Sequence, residues 1–233
     1  MAGKLLLLPN LLGDTADPDF AFTPSIKIAV SRIQGLIAES EKEGRRYLLR
    51  FLPREEMVKR PLALLHEHTE PKELSSLLLP MEKGEVWGLI SDAGLPCIAD
   101  PGEGLVRLAY QKGVEVESLG GTSSQLLALQ LSGFCGQRYA FHGYLPREEK
   151  ELEIKLKQLE QQCRGMTQMW MEAPYRTAKM VEAVCSFLSP ATLFCVASQL
   201  MTKEQRVISQ PIARWKKSSY SFGKEPAIFL LYA

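Results

Sequence analysis

The stretch GLISDAGLPCIADPG, from Gly88 to Gly102, begins as an apolar run and breaks into a loop carrying Asp92, Gly94, Pro96, Asp100 and Pro101. Glycine lets a ligand come close to main-chain atoms because it has no Cβ. Proline stiffens the loop. The aspartates meet a cationic group or cap turns. Two more stretches are built alike: PNLLGD from Pro9, and GGTSSQ from Gly120, where Thr122, Ser123 and Ser124 offer hydroxyls. Each follows an apolar run that reads as a strand. Ligands of open α/β sheets sit at such strand ends. The chemistry suggested is recognition of a small molecule, close to the main chain.

Several familiar sites are excluded. Gly102-x-Gly104 is followed by Arg107 where a dinucleotide fingerprint needs glycine. There is no Gly-x-x-x-x-Gly-Lys-Ser/Thr phosphate loop and no Gly-x-Ser-x-Gly elbow. HEH, His66 to His68, would place both imidazoles on one face of an extended strand, but the only other histidine is His142. No metal site is therefore expected. Cys97, Cys135, Cys163, Cys185 and Cys195 form no Cys-x-x-Cys pair, and this odd, unpatterned set fits reduced thiols in a cytoplasm.

A net charge of +1, with 45% hydrophobic and 24% charged residues, is ordinary for a globular chain. Nucleic acid, if bound, must meet a local patch. ARWKKSSYSFGK sets Arg214, Lys216, Lys217 and Lys224 among Trp215, Tyr220 and Phe222, a pattern suited to phosphates and stacked bases. Arg45, Arg46, Arg50, Arg54, Lys59 and Arg60 form a second cluster. The opening MAGKLLLLPNLLGD is too short for a secretory core region, and no apolar run has the length of a membrane helix.

The elements that would position these groups alternate. KLLLLP reads as a buried strand. SIKIAVSRIQGLIAESEKEG reads as one helix, with Ser25 as N-cap and Gly44 as stop. RRYLLRFL and PLALLHEH read as strands, then KELSSLLLPMEKG as helix, EVWGLIS as strand, GEGLVRLAYQKG as helix, VEVESLG as strand and TSSQLLALQLSG as helix. The second half continues with strands RYAFHGYL, TQMWMEA, TLFCVASQL, EQRVISQPIARW and PAIFLLYA, and with helices PREEKELEIKLKQLEQQC and RTAKMVEAVCSFL. The expected fold is α/β in two domains, residues 1–117 and 118–233, each a mixed or parallel sheet with flanking helices. A cleft between two such domains is a usual place for a small molecule.

SDAGLPCIADPG resembles the SDAGTPxIxDPG signature of the tetrapyrrole methylase superfamily, in the small-subunit ribosomal RNA methyltransferase I branch. The likeness runs in order along nearly the whole chain. LLLLPNLLGD is similar to LYIVPTPIGN, LLHEHTE to LHDHNE, and YAFHGYLP to FxYEGFLP. MWMEAPYRTAKMVEAV is similar to IFYESTHRLLxxL, ASQLMTK to ARELTK, and GKEPAIFLLYA to KGEMVLIVEG. The resemblance implies two α/β domains, a homodimer, and S-adenosylmethionine in the interdomain cleft. By position it implies cofactor contacts from Pro9, Asp92, Ala93, Gly94, Ile98, Thr122 and Ser123, and from Met171, Glu172, Ala197 and Ala227.

The implied reaction is 2′-O-methylation of a cytidine ribose in small-subunit ribosomal RNA, with ribosomal RNA or the small ribosomal subunit as partner, in the cytoplasm. Glu172 and His66 are candidates for the base that receives the ribose proton. Arg176, Lys203, Arg214, Lys216 and Lys217 are candidates for substrate binding. Two alternatives stand beside this reading: methylation of a tetrapyrrole or corrin precursor, and a catalytically impaired S-adenosylmethionine-binding paralogue. The second draws on departures from the branch. EDTR, after the second strand of the branch, is matched here to LLRFLPREE, so its acidic pair is expected to be lost; GPCA becomes GTSS, and ARELTK becomes ASQLMTK. Gly94→Val is expected to abolish cofactor binding while leaving the fold, as read by calorimetry.

Overall fold

The run KLLLLP forms β1 (Lys4–Leu7), which Pro9 closes. A computed structural model describes residues 3–233; Met1 and Ala2, the first letters of the opening stretch, lie outside the described residues. The chain divides into two compact units, 1–123 and 124–233. The division thus follows the third glycine-rich loop, a few residues beyond the boundary expected from the sequence.

In the first unit, α1 (Pro18–Ala21) and α2 (Pro24–Arg32) follow β1. Thr23, not Ser25, is the N-cap of α2, and Pro24 fills its first turn. Next come β2 (Gly35–Ala38), α3 (Glu41–Leu49), α4 (Arg54–Val58) and the short β3 (Leu62–Leu64). After α5 (Pro71–Glu82) the chain continues through β4 (Val86–Leu89), α6 (Glu103–Gln111) and β5 (Glu115–Ser118). The five strands are all parallel in the order β3-β2-β4-β1-β5. The two central strands leave in opposite directions, β1 towards β2 and β4 towards β5, which opens a crevice at their carboxyl ends.

Two expectations fail here. The single helix over residues 25–44 is a helix, a strand and the start of another helix. Ile33 and Ile37 fit a helical stripe, but the segment GLIA is buried on both faces and pairs with β3 and β4. RRYLLRFL is not a strand: it completes α3 and the following turn, with Tyr47 and Leu48 buried. The start of α3 is written in the chain, since Ser40 accepts from the Glu43 N–H at 3.3 Å.

The second unit holds α7 (Ser124–Ser132), β6 (Tyr139–Tyr144), α8 (Glu149–Gln162), β7 (Thr167–Glu172), α9 (Thr177–Phe187), β8 (Leu193–Ser198), β9 (Arg206–Pro211), α10 (Ile212–Trp215) and β10 (Ala227–Tyr232). Its sheet runs β6-β7-β10-β8-β9, with β6 parallel to β7 and the other pairs antiparallel. EQRVISQPIARW is a strand only as far as Pro211, after which the chain turns into α10. Leu152, Leu156 and Leu159 of α8 pack against the sheet beside Trp170, Phe194 and Phe229. These three rings stack with planes within 12° of parallel.

Trp170 is fully buried, and its indole N–H has no partner among the described residues. Trp170→Ala is expected to cost about 3–5 kcal/mol in denaturant unfolding. Trp170→Phe should cost clearly less, because it keeps a ring in the stack and removes the unpaired donor.

Candidate functional site

At the carboxyl end of β1 the chain is zipped to the loop that leaves β4. The Asn10 N–H donates to Gly94 O at 2.7 Å, and the Gly94 N–H returns to Leu11 O at 3.3 Å. The buried Asn10 side chain completes the join. Its Nδ2 donates to Ser91 O and Asp92 O, at 2.9 and 3.1 Å, while its Oδ1 accepts from the Leu11 N–H and from Arg50 Nη1. The third loop closes in from the other side: a Cβ on Gly121 would lie 2.1 Å from the Pro9 Cβ, so only glycine permits this approach. Pro9, Asp92, Ala93, Gly94 and Thr122 are therefore brought together by three loops of one sheet. Thr122 Oγ1 is buried there without a hydrogen-bond partner among the described residues. Ile98 lies further along the β4 loop with its side chain exposed, and Ser123 follows Thr122 just before α7.

Gly94 has φ +73°, and a Cβ there would lie 3.2 Å from Leu12 Cδ2. A valine at this position strains the backbone before any ligand is considered. The expectation that Gly94→Val selectively removes binding is corrected accordingly, because the glycine serves the loop's own conformation.

Carboxylates gather at the ends of β2 and β4. Glu39 Oε1 accepts from the Asp92 N–H at 3.0 Å. Burial pushes the Glu39 carboxyl above its usual range, and the hydrogen bond from Asp92 partly offsets this. Burial, with Glu43 nearby, likewise raises Asp92. Asp100 is pushed up to about 7 by burial and then by the charges of Glu39 and Asp92. Sequence reasoning missed Glu39 because it placed β2 elsewhere. The residues after the true second strand are Glu39, Ser40 and Glu41, so LLRFLPREE is not the stretch that follows it. Two acidic groups, Glu39 and Glu41, follow that strand, and between them Ser40 caps α3.

His66 is not on a strand. β3 ends at Leu64, and residues 66–69 form a turn in which His66 and His68 are exposed, with ring centroids 6.2 Å apart. No group of metal-ligating side chains occurs among the described residues. His66 does line a cavity of about 500 Å3 together with Glu67, Thr69, Asp100 and Glu103.

In the second unit, Met171, Glu172, Ala197 and Ala227 share one end of the sheet: Ala227 pairs with Glu172, and Ile228 with both Met171 and Ala197. Ala197 and Ala227 are buried, as is Glu172, whose side chain is 1% exposed. Burial raises the Glu172 carboxyl, and Arg176, with Nε 3.3 Å from Oε2, opposes that rise. Arg176 also donates to Pro146 O, so much of its hydrogen-bonding capacity is used locally. Lys203, Arg214, Lys216 and Lys217 are exposed. The aromatics expected beside them are not: Trp215 donates to Phe194 O from the core, and Phe222 is buried beneath the Arg206 guanidinium. Only Tyr220 remains on the surface. Half of the second basic cluster is paired within its own unit, Arg45 with Glu41, Arg46 with Asp14 and Glu43, and Lys59 with Glu56.

Curated relatives share this chain over most of its length. The ribosomal RNA small subunit methyltransferase I of Escherichia coli O157:H7 is 26% identical over 232 residues, covering 98% of this chain and 77% of that protein. The protein of the same name from Thermotoga maritima is 25% identical, covering 92% and 93%. That of Haemophilus influenzae is 32% identical over 152 residues, 65% of this chain and 53% of that protein. Among solved structures, diphthine synthase superposes with a TM-score of 0.67 at 15% identity, over 99% of this chain and 89% of the other. The methyltransferase CobJ superposes at 0.63 with 16% identity, over 98% and 92%.

Over most of its length the chain is similar to proteins named ribosomal RNA small subunit methyltransferase I, and it shares the fold of the methyltransferases it superposes on. No family model matches it. Its two-sheet α/β architecture is that of the superfamily's fold.

Asp100 supplies a test. A carboxyl raised on folding binds its proton more tightly in the native state than in the unfolded chain. Its contribution is therefore favourable at low pH and is lost as pH climbs from the ordinary aspartate value towards about 7. Asp100→Asn is expected to be more stable than the parent at pH 7, with the difference shrinking towards pH 4, as read from thermal midpoints across that window.

Proposed function

We propose that this protein is an S-adenosylmethionine-dependent methyltransferase acting on small-subunit ribosomal RNA, at the 2′-hydroxyl of a cytidine ribose. The observation that carries the reading is the zipped trio of loops at the carboxyl ends of β1, β4 and β5, on a chain whose relatives are named for methylating that RNA. The residues present fit the donor. Thr122 Oγ1 is a buried polar atom still lacking a partner, and Glu39, Asp92 and Asp100 suit the donor's positive charge. Pro9, Ala93, Gly94 and Thr122 would hold it mainly through the main chain, with Ile98 and Ser123 at the margins. The resemblance to the branch assigns Met171, Glu172, Ala197 and Ala227 to the same cofactor.

S-adenosylmethionine supplies a methyl group on a cationic sulfur, which a nucleophile displaces. The protein's part is to align the acceptor oxygen and accept its proton. His66 is the more accessible of the two candidate bases, since it lines an open cavity, whereas Glu172 is enclosed beside Arg176. Lys203, Arg214, Lys216 and Lys217, all exposed, would meet RNA phosphates, and Arg176 would do so from its half-buried place. The same reading carries a homodimeric, cytoplasmic protein. No helix among the described residues is long and apolar enough to cross a membrane.

The catalytically impaired alternative has one observation in its favour: after β2 the chain reads Glu39-Ser40-Glu41-Lys42, not the EDTR that follows the second strand of the branch it resembles. Isotope-labelled methyl donor should distinguish the two. Incubated with naked small-subunit RNA or with isolated small subunits, the protein is expected to label a single cytidine, located by mapping 2′-O-methyl positions. Donor binding in calorimetry with no label in either RNA, or in a tetrapyrrole acceptor, would leave a binding protein and refute the enzyme.

A further inference from the structure

Arg50 is a charged group of the first unit that its own fold, among the described residues, leaves without a counter-charge. It caps the carboxyl end of α3, and its guanidinium is half-buried. Arg45 and Arg46, on the same helix, each reach a carboxylate, but Arg50 has no ion-pair partner among the described residues. The nearby Asp14 and Glu43 are taken by Arg46. Of the five N–H donors in its guanidinium, Arg50 places Nη1 on Asn10 Oδ1, at 3.0 Å. Burial, and then the charge of Arg46, weaken its hold on its proton. A buried cation without a counter-charge is costly, and the helix terminus offsets only part of that cost.

The location narrows what the missing partner is. Through Asn10, the guanidinium is one side chain from the main chain of Asp92, whose N–H meets Glu39. A positive group and a group of carboxylates thus flank the same joined loops. That pairing is complementary to an α-amino acid, which carries a carboxylate and an ammonium on one carbon. We propose that Arg50 binds the α-carboxylate of S-adenosylmethionine, with the ammonium turned towards Glu39 and Asp92. The inference rests on the cofactor reading above and adds to it the residue that recognises the donor's acid end. Arginine suits the task because its planar fork meets both oxygens of a carboxylate at once.

The other source of such an anion is an RNA phosphate, and the experiment separates the two. Calorimetry would compare S-adenosylmethionine with its decarboxylated analogue on the parent, Arg50→Ala and Arg50→Lys, while filter binding follows small-subunit RNA. The parent should prefer the carboxylated compound by roughly 10- to 100-fold, as a charge-assisted hydrogen-bonded contact provides. Arg50→Ala should bring that preference to within about threefold, a near-complete loss of such a contact. Arg50→Lys should keep part of it, which also shows that the loops remain formed. Equal weakening of both compounds in Arg50→Ala would mean that Arg50 acts only by holding Asn10, and would overturn the proposal. An unchanged preference with weakened RNA binding would overturn it in favour of a phosphate. A parent that binds neither compound would remove the cofactor reading itself.

Discussion

The site rests on one carboxamide. Asn10 has two N–H donors and two acceptor positions, and the fold uses all four: two loop carbonyls on one side, a main-chain N–H and a guanidinium on the other. An aspartate would turn an acceptor towards the Ser91 and Asp92 carbonyls. An aliphatic residue would leave those buried groups and the Arg50 donor without partners. The residue at this one position therefore fixes how the β1 and β4 loops face each other, and the Pro9–Gly121 approach sets the third loop against them.

Charge follows from that geometry. Loops tied this closely half-bury the Glu39 and Asp100 carboxyls, and that desolvation, more than mutual repulsion, raises their proton affinity, with the exposed Asp92 beside them. Joining the loops thus also creates a cation-seeking edge on the sheet, while Arg50 approaches from the helix behind it.

Much of this was legible in the chain. β1, β4 and β10 are short apolar runs with clear stops, and the glycine-rich loops gave away the strand ends. β2 was not legible because a four-residue strand buried on both faces has no alternation, and its isoleucine happened to complete a helical stripe. The better signal was Ser40 followed three residues later by Glu43, which marks a helix start inside the supposed helix. Misplacing β2 hid Glu39 and made the acidic position appear lost. The role of Asn10 could not be read at all, since three of its four partners come from two distant segments, Arg50 and Ser91–Asp92. Nor could the chain say which aromatics of ARWKKSSYSFGK face inward: Trp215 is drawn into the core by a carbonyl of β8, and no local pattern announces that.

The tryptophans are divided unevenly between the two units. Trp87 is the only one in the first, tucked against Gly35 with its indole N–H on Glu85, while Trp170 and Trp215 lie in the aromatic core of the second. Intrinsic fluorescence therefore carries a separate emitter for each half of the molecule. With Trp87 replaced, the remaining emission reports the mixed sheet alone, so loss of order in the two sheets can be told apart without attaching any dye.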